Sequence, residues 1–269
     1  MYMNKDKKKR ILISLIVIFG VILIAAGGYV LVRVMGWFQT AETYKDVQES
    51  YASRETAADS KSETSEKTEG TTVPVENPID FKSLRAQNPD VYSWIDVPDT
   101  NINYPVLQSG EDDNFYLDHD VYKNYSFPGA IYSQSMNSLD YSDRVTVLYG
   151  HNMLDGSMFA DIYKFADKEF FDSHKYFYVY TPTRKLTYEV VSVYDYDDRH
   201  IMNSFDFKDD KVFSEWLSAA QNPHTLYGNV RSDVKLDLNS KILVLSTCQN
   251  SGDGRFILQG VLIKDEQTK

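Results

Sequence analysis

Residues 241–263 read KILVLSTCQNSGDGRFILQGVLI. An apolar run ends at Cys248, the polar turn QNSGDG follows, and a second apolar run starts at Phe256. Two such runs around a glycine-containing turn predict a β-hairpin. The hairpin sets Cys248, the only cysteine of the chain, at a strand end beside a loop. It also returns Arg255, seven residues on, toward the thiol. A cation near a thiol favours the nucleophilic thiolate. An ordinary hairpin with an inert thiol and a surface arginine fits the same pattern, so the pair alone decides nothing.

Upstream of the hairpin, similar short runs recur at 92–97, 102–106, 130–133, 145–149, 176–180 and 186–194. They are rich in Val, Ile, Tyr and Phe, as half-buried pleated surfaces prefer. No repeat of 20–50 residues is present. A short helix is expected after Pro78, ending at Asn88-Pro89. Residues 155–164 place Met158, Phe159, Ile162 and Tyr163 on one helical side. Residues 209–221 do the same with Val212, Phe213, Trp216, Leu217 and Ala220. Many short strands with few helices predict a mainly β barrel or sandwich.

The other end of the chain is of a different kind. Residues 1–10 are basic, and residues 11–32 carry no charge. About 20 apolar residues span a bilayer core, whereas a secretory apolar region has only about 7–15. The reading is a transmembrane signal-anchor helix over 11–32, with the basic residues 1–10 in the cytoplasm. Trp37 and Phe38 stand where an interfacial aromatic anchor belongs. A cleavable signal ending near Ala25–Gly28 is the lesser reading. Residues 33–76 turn to Ser, Thr, Glu, Lys and Ala and read as a flexible extracellular tether, whose stretch 41–52 can extend the helix. The folded domain is then 77–269, and residues 1–76 serve location and not chemistry.

The formal net charge of -11 argues against nucleic acid as a partner. One cysteine permits no internal disulfide and, with scattered histidines, gives no zinc pattern. The run Glu111-Asp112-Asp113 has no spaced ligand loop and reads as a solvated turn. Nothing calls for a metal or cofactor. Of the five histidines, His151 in VTVLYGHNM follows an apolar strand. His119, His174, His200 and His224 lie in polar stretches and are expected to be solvated surface side chains.

The ordered set YGHNM (149–153), LSTC (245–248) and GRF (254–256) resembles the sortases. So do residues 87–108, 114–120, 149–159 and 170–182, which look like class B sortases, as does the longer helix before the last strands. The resemblance covers about residues 79–265; the loop from Cys248 to Arg255 is short for the class. It implies an eight-stranded sortase-type β-barrel with a few added helices. It implies Cys248 as nucleophile, His151 as proton partner and Arg255 as oxyanion-stabilising cation. By residue-to-residue match, Ser246 and Tyr149 contact the substrate, and so, less closely, does Asn114. The implied reaction cleaves an Asn-Pro-x-Thr-like C-terminal sorting signal of secreted proteins after Thr. A thioester on Cys248 then passes to an amine of peptidoglycan or its lipid-linked precursor. Polymerisation of pilin-like subunits is the neighbouring reading. A papain-like hydrolase usually places Cys before His and often on a helix, the reverse of the order here. A non-enzymatic membrane-tethered surface domain fits the anchor but not the three motifs.

Overall fold

The structure is a computed structural model describing residues 5–52, 74–225, 227–248 and 254–269. Among the described residues nine strands form one sheet: β1 (Val91–Asp96), β2 (Asn103–Leu107), β3 (Ile131–Tyr132), β4 (Val145–Tyr149), β5 (Tyr176–Tyr180), β6 (Arg184–Tyr196), β7 (Gly228–Val230), β8 (Ile242–Cys248) and β9 (Arg255–Gln267). Their order is β5-β1-β2-β3-β4-β8-β9-β6-β7, and β5 pairs with β6 as well as β1. That extra pairing closes eight strands into a barrel and removes their free edges. Strand β7, not expected from the sequence, is a short ninth strand on β6.

Side-chain alternation divides the core in two. Leu243 and Leu245 of β8, Leu148 of β4 and Leu258 of β9 join the larger cluster, which holds Trp94, Phe177 and Tyr188. Ile242 and Val244, Val145 and Val147, and Ile257 and Val261 face the other way and form a second cluster. That outer row is covered by α5 (Asp210–Gln221), whose Phe213, Trp216, Leu217 and Ala220 are buried as the 3.6-residue pattern requires. Asp209 caps the helix by accepting from the N–H groups of Lys211 and Val212. The expected short first helix is α2 (Phe81–Gln87). Helices α3 (Lys168–Ser173) and α4 (Ile201–Ser204) are further short additions.

Two expectations are corrected. Residues 155–164 do not form one α-helix: Gly156 and Met158 take positive φ, and a 3-10 helix begins only at Ala160 (Ala160–Ala166). Residues 33–76 are not a tether throughout: α1 (Lys5–Tyr51) runs without interruption from the apolar segment into the domain, as the reading that 41–52 can extend the helix allows. Residues 53–73, and the side chains of Trp37 and Phe38, lie outside what is described. The apolar part, Ile13–Leu31, has a mean hydropathy of 2.5 and is not buried against protein, which makes it a candidate membrane span. The far end of α1 is docked: Tyr44 and Val47 are buried, and Gln48 Nε2 donates to Asn103 O at 2.7 Å.

Gly260 marks a tight approach inside the barrel. A Cβ there would stand 2.4 Å from Phe177 Cε1, and the Phe177 ring is itself stacked on Tyr188 at 5.3 Å. The ring cannot retreat, so Gly260→Ala should destabilise the domain by about 1–3 kcal/mol through overpacking. A melting curve unchanged from wild type would refute this packing.

Candidate active site

Strands β4 and β8 run parallel with Tyr149 opposite Ser246. Both strands therefore end on the same edge of the barrel. Gly150 N donates to Ser246 O at 3.2 Å, and the next residue is His151. Two residues past Ser246, β8 ends at Cys248, which is exposed. Antiparallel β9 places Arg255 opposite Cys248. Residues that lie 97 positions apart in the chain thus reach one rim, set there by register.

Alternation continues the outer rows of the barrel past the cover of α5. Ser246 and Cys248 extend the row of Ile242 and Val244, Tyr149 extends that of Val145 and Val147, and Arg255 extends that of Ile257. The candidate residues accordingly share one outer face. Arg255 Nη1 lies 3.0 Å from Cys248 Sγ, within sulfur hydrogen-bond range. His151 is half-buried, and its Nε2 lies 2.8 Å from Leu117 O. A carbonyl only accepts, so Nε2 carries the proton and Nδ1 of the neutral ring is the basic atom. The structure thus joins Cys248 to Arg255 directly, and sets His151 on the adjacent strand end with Nε2 committed to Leu117 and not to the thiol. The backbone at Cys248 is held by Asn152 Nδ2, 3.2 Å from its carbonyl oxygen, with Tyr163 Oη at 3.5 Å. Residues 249–253 of the short loop lie outside the described residues.

Tyr149 is central to the aromatic wall. Its ring lies 5.6 Å from Tyr132 and 6.1 Å from His200. Burial pushes the Tyr132 hydroxyl up to about 12, with Arg255 opposing the rise. Burial also raises that of Tyr149, and Tyr132 adds to it. Both phenols therefore stay protonated at neutral pH. Tyr149 Oη is buried without a hydrogen-bond partner among the described residues. A buried unpaired hydroxyl costs about 1–3 kcal/mol, so this is a place where an incoming acceptor is rewarded.

Asn114 lies on the exposed side of the same wall, joined to it through Gln134. His200 Nδ1 accepts from Asn203 N, so Nε2 bears the proton and donates to Gln134 Oε1 at 2.6 Å. Gln134 Nε2 donates in turn to Asn114 Oδ1 at 3.1 Å. Sequence reasoning missed Gln134, Tyr132, Asn152 and Tyr163, and it misread His200 as a solvated side chain. His174 also departs from that expectation, stacked on Phe170 at 3.7 Å and bonded to Asp99 at 3.0 Å. His119 stacks on Phe115 at 4.1 Å, while His224 is exposed as expected. Asp112 and Asp113 cap a turn, accepting from Asn114 N and Ser135 N.

The model of the Sortase domain matches residues 95–263. The chain belongs to the sortase family, as a class B sortase. Sortase B of Listeria monocytogenes is 32% identical over 187 residues, covering 68% of this chain and 74% of that protein. The crystal structure of sortase B from Bacillus anthracis in complex with AAEK1 superposes with a TM-score of 0.67 at 29% identity, covering 86% of this chain and 99% of the other. A Staphylococcus aureus sortase B–substrate complex gives a TM-score of 0.61 at 28% identity, covering 68% and 84%. As a member of this family the sortase is an enzyme of the cysteine transpeptidase type acting on sorting-signal substrates. A cleft of about 260 Å³ lies elsewhere, between α1 and the barrel, and is lined by none of Cys248, His151 and Arg255.

The exposure of Cys248 has a direct test. A methanethiosulfonate reagent should modify the single thiol stoichiometrically in the native fold, as buried structural cysteines do not. Labelling that requires denaturant would show that the rim is closed.

Proposed function

We propose that the sortase cleaves an Asn-Pro-x-Thr-like sorting signal after Thr and transfers the Thr carbonyl to an amine of peptidoglycan or its lipid-linked precursor. The observation that carries the reading is the 3.0 Å contact between Arg255 Nη1 and Cys248 Sγ at an exposed strand end. The basic segment before the span stays in the cytoplasm and the barrel faces outward.

Cys248 gives its thiol proton to His151 Nδ1 as its Sγ adds to the Thr carbonyl carbon, and the charge moves to the carbonyl oxygen. Arg255 holds that oxyanion with fixed donors, its charge being independent of working pH. Collapse breaks the C–N bond, and His151 supplies the proton to the departing amine through Nδ1. The thioester is then attacked by the acceptor amine, which gives its proton to His151 as the C–S bond breaks. Ser246, Tyr149 and Asn114 receive the peptide. Tyr149 offers a hydroxyl that has no hydrogen-bond partner among the described residues. Asn114, with Oδ1 taken by Gln134, presents Nδ2 as a donor to a peptide acceptor.

The nucleophile is tested by mass spectrometry on a sorting peptide, with and without candidate amines. Wild type should carry an adduct equal to the acyl half of the peptide and release it on adding the amine. Cys248→Ala should form none while folding normally, and undiminished cleavage by that variant would end the reading. The cation is tested by kinetics. Arg255→Ala should lower kcat by roughly 10²–10³, as removal of other oxyanion donors does. Arg255→Lys should recover little, since a point charge on a flexible stem does not replace a planar fork. A lysine variant keeping a third or more of wild-type kcat would exclude a guanidinium-specific role.

A further inference from the structure

The docked end of α1 touches the parts of the barrel that hold His151. Tyr44 Oη donates to Gly129 O at 2.8 Å. Thr40 Oγ1 donates to Gly36 O at 3.0 Å, so the 2.6 Å contact with Ser126 has the Ser126 hydroxyl as donor. Both barrel partners lie on one loop, whose Phe127 ring is 5.5 Å from that of His151. The loop is folded onto Leu117, the residue whose carbonyl binds His151 Nε2. Ser126 N donates to Asp118 O at 2.8 Å, and Ala130 N to Tyr116 O at 2.9 Å. Gly129 has φ +59°, and a Cβ on it would lie 2.5 Å from Leu117 O. A second line of contacts leads from the same tyrosine. Tyr44 packs edge-on against Tyr104 at 5.4 Å, Tyr104 Oη accepts from Met158 N, and Met158 bridges to Asn152 next to His151.

We propose that the docked half of α1 is a positioning element for the reaction, in which Tyr44, seconded by Thr40, fixes the orientation of the His151 imidazole from outside the catalytic domain. The inference rests on the reading of His151 as the proton carrier. It revises the division that gives residues 1–76 location alone. The cleft of about 260 Å³ runs along the seam between Thr40, Tyr44, Gln48, Asn101 and Met158. Loss of the Tyr44 hydroxyl removes one of the bonds that fix the loop beside His151. The described side-chain bonds from the docked end to the barrel go to Ser126, Gly129 and Asn103 and not to Cys248 or Arg255, so the effect falls on proton transfer and not on peptide binding.

The test uses the full chain in nanodiscs with a fluorogenic sorting peptide. Tyr44→Phe keeps the ring and removes the donor to Gly129, and Tyr44→Ala removes both. Tyr44→Ala should lower kcat about tenfold or more with KM unchanged, because small misplacements of a catalytic group are costly. Tyr44→Phe should fall between it and wild type, and the ring-nitrogen NMR signals of His151 should shift in both. Gln48→Leu breaks a contact of the same helix with β2, away from the histidine, and should leave kcat within about twofold. In a His151→Ala background, Tyr44→Ala should cost nothing further. If His151→Ala is inactive while Tyr44→Phe and Tyr44→Ala keep wild-type kcat, the brace is refuted and the site stands. If Gln48→Leu loses as much kcat as Tyr44→Ala, the helix is merely structural and the brace is again refuted. If His151→Ala turns over at the wild-type rate, the reading of the site fails instead.

Discussion

The parallel pairing of β4 with β8 is the constraint on which the site depends. Five successive partners, from Val145↔Ile242 to Tyr149↔Ser246, fix where the two strands stop relative to each other. A slip by one residue would exchange the faces of every side chain in the moved strand. If β8 moved, Val244 would leave the layer under α5, and Cys248 would turn off the outer face that Tyr149 and Arg255 share. The register is thus defended by two hydrophobic clusters at once, one on each side of the sheet. The chemistry at the rim is cheap to place because the core has already decided it. The cost lies in folding: pairing parallel neighbours so distant in sequence closes a long loop, and such long-range pairing is intrinsically slow.

Electrostatics at the rim follow from the same construction. In a chain with a formal net charge of -11, Arg255 is turned to the thiol. The arginine begins β9 and is half-buried, so the direction of its side chain is set by strand and register. The aromatic wall contributes hydroxyls that burial keeps protonated, which gives the rim donors without further charge. Donors suit a substrate bound as an extended peptide, whose backbone supplies acceptors. The His200–Gln134–Asn114 chain orients one more donor by using up the amide oxygens in sequence.

Much of this was legible in the amino-acid sequence, and the gaps have physical reasons. All the strands but β7, with α2 and α5, announced themselves through period and turn chemistry, and the hairpin that returns Arg255 to Cys248 follows from two apolar runs and a turn. The histidine could be ranked first because it alone follows an apolar strand. What could not be read was anything carried by tertiary contact. Met158 adopts positive φ where a helical pattern seemed continuous, because its N–H reaches Tyr104 Oη across the barrel. His200 looked solvated in the stretch DRHI, yet it caps α4 and is bonded to Gln134, a residue 66 positions earlier in the chain. No local pattern carries that pairing. The missed donors to the Cys248 carbonyl, Asn152 and Tyr163, are of the same kind.

The anchor was the part that composition described least well. A polar, Glu- and Lys-bearing segment after an apolar span reads as a tether when each residue is weighed alone, because few of its side chains can bury area. Helical geometry changes the account. Thr40, Tyr44, Val47 and Tyr51 recur at intervals of three and four, and Tyr44 and Val47 are buried while Lys45 and Glu49 stay outside as an ion pair at 3.8 Å. The segment is amphipathic with a narrow stripe, enough to dock on a barrel that supplies Gly129 and Asn103 carbonyls as partners. A continuous helix from span to barrel cannot swing as a polar tether does, since bending it breaks backbone hydrogen bonds. The orientation of the barrel relative to the apolar span is therefore part of the fold, fixed by the same residues that rest against the loop beneath His151.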